Sequence, residues 1–229
     1  MTRSEAIKFV ILRSIGNFLV LLTIYGFVAT FGPALYHEVV FQVNQARGVR
    51  YTVAAPSVQN QEVTRSLGDV LSSHKATLLV PTDTMFSIVI PKIGANAKVF
   101  PNIDPADEKQ FLPVLKQGVA HAKGTVFPGM QGNIYLFAHS TDNWWSVGRY
   151  NAVFYLLKDL SVGDDVVVFF NNKRYDYTVS ESIIADPDDV RLLIKSQGGP
   201  QQLILQTCWP PGTAWKRLFV IALPKSTNF

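Results

Sequence analysis

The chain has 229 residues, 48% hydrophobic, 12% aromatic and 17% charged, with a formal net charge of +4 and a mean hydropathy of +0.15. So little charge beside so many aromatics excludes a disordered chain, which lacks the apolar surface to offset its ordering entropy, and the length holds one ordinary domain plus an appendage. The single cysteine, Cys208, rules out an intramolecular disulfide and any zinc site built on several thiolates.

No charged residue occurs from Ser14 to Tyr36, a stretch rich in Ile, Leu, Val and Phe. About 20 apolar residues carry a helix across about 30 Å of hydrocarbon, where every backbone polar group must be satisfied within the segment. The expected arrangement is a cytoplasmic arm at residues 1–13 and a transmembrane anchor at residues 14–36. Two other readings are a cleaved signal peptide and a buried globular helix. A signal peptide has an apolar core of about 7 to 15 residues and a small-x-small cleavage site, and Ala29-Thr30-Phe31 is a poor one. Arg3, Lys8 and Arg13 precede the span while Arg47 and Arg50 follow it, and this bias places the N-terminus inside and the remainder outside the cell. Because much of the net positive charge sits on the arm, no nucleic-acid partner is expected.

Residues 37–84 read as an extracytoplasmic stalk with a helical patch near Glu62 to Ser73. From Met85 short apolar runs alternate with turn residues, the pattern of β structure, so residues 85–229 form a domain large enough to bury its own core. Strands are expected at Phe86–Ile90, Ala97–Val99, Ile134–Phe137, Val166–Phe170, Arg174–Ser180, Leu203–Thr207 and Leu218–Leu223. Asn171-Asn172 marks a tight hairpin, since asparagine tolerates the positive φ such turns require. Asp186-Pro187-Asp188-Asp189 and Asp104-Pro105-Ala106-Asp107 look like helix starts, with Pro113 limiting the second helix. Many short strands with helices in the connections make the fold class mainly β, a closed or nearly closed barrel.

Three features sit at strand ends: Ala138-His139-Ser140, Gln206-Thr207-Cys208-Trp209 and Lys216-Arg217. A thiolate is a strong nucleophile, and a neighbouring imidazole can take its proton and later protonate a leaving amine. Arginine supplies fixed positive donors for the oxyanion formed when a carbonyl is attacked. The turn residues Trp209-Pro210-Pro211-Gly212 would let a returning strand bring Arg217 beside Cys208. Taken singly, each residue also has an ordinary role: a buried thiol, a satisfied core histidine, a solvated arginine.

Ile204-Leu205-Gln206-Thr207-Cys208 resembles the Thr/Ile-Leu-x-Thr-Cys signature of the sortases, cysteine transpeptidases of bacterial surfaces, and Lys216-Arg217-Leu218 resembles their following arginine-bearing strand. Gly118 to Thr125, Pro128-Gly129, Gly132-Asn133 and Ala138-His139-Ser140 are similar to the family's central region, so the resemblance covers about Ile88 to Leu223. It implies an eight-stranded sortase-type β-barrel with short helices, Cys208 as nucleophile, His139 as general acid/base and Arg217 as stabiliser of substrate and oxyanion. It also implies cleavage of a C-terminal, Leu-Pro-x-Thr-Gly-like sorting motif of surface proteins. The acyl group then passes from the cysteine to an amine of peptidoglycan precursor or of a pilin lysine. His121 is a second histidine in a family-like stretch, but His139 fits the base better. Thr207, Ser140 and Trp209 are candidate substrate contacts, with Asp142, Trp144 and Trp145 nearby in sequence. The end of the chain at Pro224–Phe229, without a second apolar helix, points to a surface-anchoring rather than a pilin-polymerising type. No cofactor is expected; calcium modulation stays open, although Asp104, Asp107 and Glu108 look like an ordinary helix start. A related thiol hydrolase and a non-catalytic surface-binding barrel are the alternatives.

Overall fold

The computed structural model describes residues 3–47, 49–53, 76–140, 153–189, 191, 199–211 and 213–225. The apolar segment lies in one helix, α1 (Arg3–Ala46), whose Arg3–Ala29 portion is long and apolar enough to cross a membrane. The helix runs past Tyr36 because the sequence from His37 to Ala46 holds no glycine or proline to stop it. Its end is tied to the domain by Glu38, whose carboxylate accepts a hydrogen bond from Lys158 Nζ at 3.0 Å.

Two short strands follow, β1 (Arg50–Val53) and β2 (Ala76–Leu79), paired in parallel. They lie in the segment expected to be a stalk, and Val53 and Leu79 pack on Val89, Val167 and Phe169. The domain proper contains β3 (Phe86–Ile90), β4 (Ala95–Ile103), α2 (Glu108–Leu115), β5 (Val119–Ala122) and β6 (Asn133–Phe137). It continues with β7 (Asp165–Phe170), β8 (Lys173–Ala185), β9 (Gln202–Trp209) and β10 (Lys216–Pro224).

Eight of these strands close into a barrel in the order β10-β8-β7-β3-β4-β5-β6-β9. The pairs β4–β5 and β6–β9 are parallel. One face of each strand fills the interior, as with Ile88, Ile134, Leu136, Val168, Leu205 and Val220. The outer face of β5, β6, β9 and β10 is buried too, with Ala120, Tyr135, Phe137, Ile204 and Phe219 packed with Leu115, Val114 and Phe111 of α2. Burial on both sides explains why the sequence shows continuous apolar runs instead of clean alternation.

The seven expected barrel strands are present, several of them longer than the sequence suggested. The eighth, β5, is only Val-Ala-His-Ala, all buried, and carries too little β-branched or aromatic character to announce itself. It lies close to β4: a Cβ at Gly118 would run into the carbonyl of Lys98, so glycine is required at that approach. The β7–β8 hairpin turns at Asn171 and Asn172, with φ of 49° and 60°, as expected. Helix α2 begins later than expected: Asp104 makes a local turn by accepting from Ala106 N, and Asp107 caps the helix by accepting from Lys109 N. The helices expected near Glu62–Ser73 and between Asp186 and Gly198 fall largely outside the described residues.

Candidate active site

Cys208 on β9 and Arg217 on β10 are direct partners in the antiparallel register, so their side chains leave the same face of the sheet. That face is the outer one, because Ile204 and Phe219, at alternate positions from them, belong to the outer cluster, while Leu203, Leu205 and Leu218 point inward. Cys208 is a free, partly exposed thiol. The Arg217 guanidinium is held by its Nη1, which donates to the carbonyls of Ala214 at 3.1 Å and Lys216 at 3.2 Å. Its Nε and Nη2 have no hydrogen-bond partner among the described residues. Beside it, Lys216 is anchored to Asp186 at 2.6 Å.

The parallel β6–β9 register ends with Phe137 opposite Gln206. It is prolonged by Ala138 N, which donates to Gln206 O at 3.2 Å, and by Thr207 Oγ1, which donates to Ala138 O at 3.1 Å. His139 and Cys208 each stand two residues beyond that last pair, so the chain at His139 is level with the cysteine. His139 is partly buried and Ser140 buried. Thr207 is inward-facing and 2% exposed, which makes its hydroxyl a clasp between the strand end bearing His139 and the strand bearing Cys208. Trp209 packs against the barrel interior. Asp142, Trp144 and Trp145 lie outside the described residues.

His121 has a different setting. It is wholly buried and stacks on Phe127 with ring centroids 4.6 Å apart. Its Nδ1 accepts from Asn102 N at 3.4 Å, which leaves the proton on Nε2. Nε2 lies 3.1 Å from Val126 O and 3.0 Å from Thr125 Oγ1, and the Thr125 hydroxyl in turn donates to Ala122 O. Burial pushes its pKa below the usual histidine range, so it is a neutral, fully bonded core residue.

Sequence reasoning passed over two residues of this region. Gln206 precedes Cys208 by two on the same face, and Tyr135 donates its hydroxyl hydrogen to Gln206 Oε1 at 3.0 Å. Burial pushes the Tyr135 phenol well above the usual tyrosine range, against a smaller opposing effect of the Arg217 charge. A polar residue inside the run Leu203-Ile204-Leu205-Gln206 was the available signal. No group of three or more His, Cys, Asp or Glu side chains gathers to hold a metal among the described residues.

The sequence matches the Sortase domain family model over residues 88–225. Sortase D of Bacillus subtilis (strain 168) is 28% identical over 172 residues, 73% of this chain and 77% of that protein. Among solved structures, Sortase C1 of GBS Pilus Island 1 aligns with a TM-score of 0.51 and 22% identity over 61% of this chain and 63% of its own. Sortase C1 from Streptococcus suis gives 0.51 and 23% over 61% and 72%, and sortase C-1 from Actinomyces oris gives 0.50 and 24% over 62% and 75%. These structural likenesses concern the barrel fold.

Proposed function

The chain belongs to the sortase family of cysteine transpeptidases, and from that premise we propose that it cleaves a sorting motif of surface proteins and transfers the acyl part to an amine. The Cys208 thiolate attacks the carbonyl of the scissile peptide bond, forming a C–S bond and an oxyanion that the free edge of the Arg217 guanidinium stabilises. His139, having taken the thiol proton, gives it to the departing amine as the C–N bond breaks and leaves a thioester. An incoming amine attacks that thioester and loses its extra proton to His139. A new amide forms, and the thiolate leaves. The steps draw on this chain's own side chains, and no cofactor is assigned to them. The motif is Leu-Pro-x-Thr-Gly-like, and the acceptor is an amine of peptidoglycan precursor or a pilin lysine. The α1 helix inserts with its N-terminus in the cytoplasm and the barrel outside.

The observation that carries this reading is the register: Cys208 and Arg217 are opposite each other on one face, with the chain at His139 alongside. A partly exposed thiol also favours it over a binding barrel with a buried cysteine, because reactive cysteines need access. The test uses the full chain in detergent micelles with fluorogenic sorting peptides and an added amine. Wild type is expected to form the amide product, and Cys208→Ala to lose more than about a thousandfold of the rate. Equal rates would overturn the mechanism, and release of free acid despite added amine would make the protein a thiol hydrolase.

A further inference from the structure

We propose that Gln206, oriented by Tyr135, is the amide donor that aligns the peptide substrate beside Cys208. The proposal rests on the reading of Cys208 as the nucleophile. Gln206 stands on the outer face of β9 with Phe219 opposite it on β10 and Phe137 opposite it on β6. A carboxamide between two phenylalanines pays for its lost hydration unless both its ends are bonded. Its oxygen is taken by the Tyr135 hydroxyl at 3.0 Å. Its nitrogen has no hydrogen-bond partner among the described residues.

Tyr135, 2% exposed, therefore decides which end of the amide is occupied and leaves two N–H donors for a ligand. A carbonyl oxygen fits them. Alternate residues along a strand lie about 6.6 to 6.8 Å apart, for enzyme and extended peptide alike. A peptide running along β9 with its scissile carbonyl at Cys208 thus brings another of its carbonyls to Gln206. The aromatic flanks exclude water from that bond, which raises its worth when made.

The experiment measures binding of fluorescein-labelled Leu-Pro-x-Thr-Gly pentapeptides, with x mixed, to the full chain in micelles. The Cys208→Ala background prevents turnover. Gln206→Met keeps the side chain's length and removes both amide ends, and is expected to weaken binding about fivefold, the worth of one hydrogen bond. Tyr135→Phe is expected to weaken binding about threefold when Gln206 is present and to have no effect beside Gln206→Met, because its role passes through the amide. A merely structural tyrosine would lower the melting temperature and weaken binding equally in both backgrounds. That result overturns the proposal, as does undiminished binding by Gln206→Met or the absence of saturable binding by the parent. If wild type transfers acyl groups while Gln206→Met binds normally, only this inference fails. If the parent binds but wild type neither cleaves nor transfers, the transpeptidase reading fails, and the two variants still decide the role of Gln206.

Discussion

The interior of the barrel around His121, on β5, and its outer face around Cys208, on β9, belong to one closed sheet yet treat polar groups in opposite ways. Inside, His121 has both ring nitrogens engaged, and the hydroxyl it contacts is itself bonded to Ala122 O. Nothing is left over, as buried polar groups require. Outside, Arg217 is gripped by one nitrogen only, Gln206 is bonded at its oxygen, and the thiol is partly exposed. An arginine or an amide on this outer face thus keeps donors for a ligand where the protein itself consumes only part of its hydrogen-bonding capacity. Pleat alternation assigns neighbouring residues to these two roles, with Thr207 clasping β6 from the inner side and Cys208 facing out one residue later.

The sharpest way to break this contrast is at Arg217. Arg217→Ala is expected to lower kcat about a hundredfold to a thousandfold, the cost of one oxyanion donor. Arg217→Lys should recover little of it, because an ammonium lacks a planar fork that can be gripped at one nitrogen and present the others. Steady-state transfer assays read both, and near wild-type kcat for the lysine variant would remove the guanidinium geometry from the mechanism.

On the inner side, His121→Phe keeps a ring against Phe127 but strips partners from Asn102 N and Thr125. It should destabilise the barrel by about 1 to 3 kcal/mol at pH 8. The pH dependence has a definite sign. Since the folded pKa of His121 lies below its ordinary value of 6.5, the unfolded chain binds a proton that the native state does not. Its contribution is complete above pH 6.5 and is lost as pH falls from there toward the depressed folded value. Thermal melts of wild type should therefore fall more steeply than those of His121→Phe between pH 7.5 and 5.5. Parallel slopes would mean that the interior imidazole is not kept neutral.

The smallest effect is expected at the seam. Thr207→Val removes the hydroxyl that donates to Ala138 O and should cost about 1 kcal/mol of stability. It should also lower kcat more than it changes KM, because the strand end carrying His139 loses its clasp. A melting temperature and kcat both equal to wild type would show that the clasp holds nothing.

Much of the fold was legible because it rests on local rules. The Asn171-Asn172 hairpin follows from the φ values asparagine tolerates, the long apolar N-terminal helix from an uncharged stretch of bilayer length, and strands such as Phe86–Ile90 from β-branched and aromatic density. Strand β5 escaped because four buried residues leave no period to detect. β1 and β2 escaped because their apolar residues, Val53 and Leu79, acquire meaning only as the cover of Val89, Val167 and Phe169. The start of α2 moved from Asp104 to Asp107 because either aspartate can turn the chain, and only the backbone geometry chooses between them.

For the site, the sequence by itself determined which groups exist: one thiol in the whole chain, a histidine and an arginine at strand ends, and a motif similar to the sortases. The turn after Cys208 also announced that Arg217 returns beside it, as the register shows, but the sequence could not say that the chain at His139 is level with the cysteine, or that Tyr135 turns the amide of Gln206. Those relations depend on strand register between segments as far apart as Ala138 and Thr207, 69 residues. Register is set by the packing of the closed barrel as a whole, where a slip of one residue would exchange every inner side chain for an outer one.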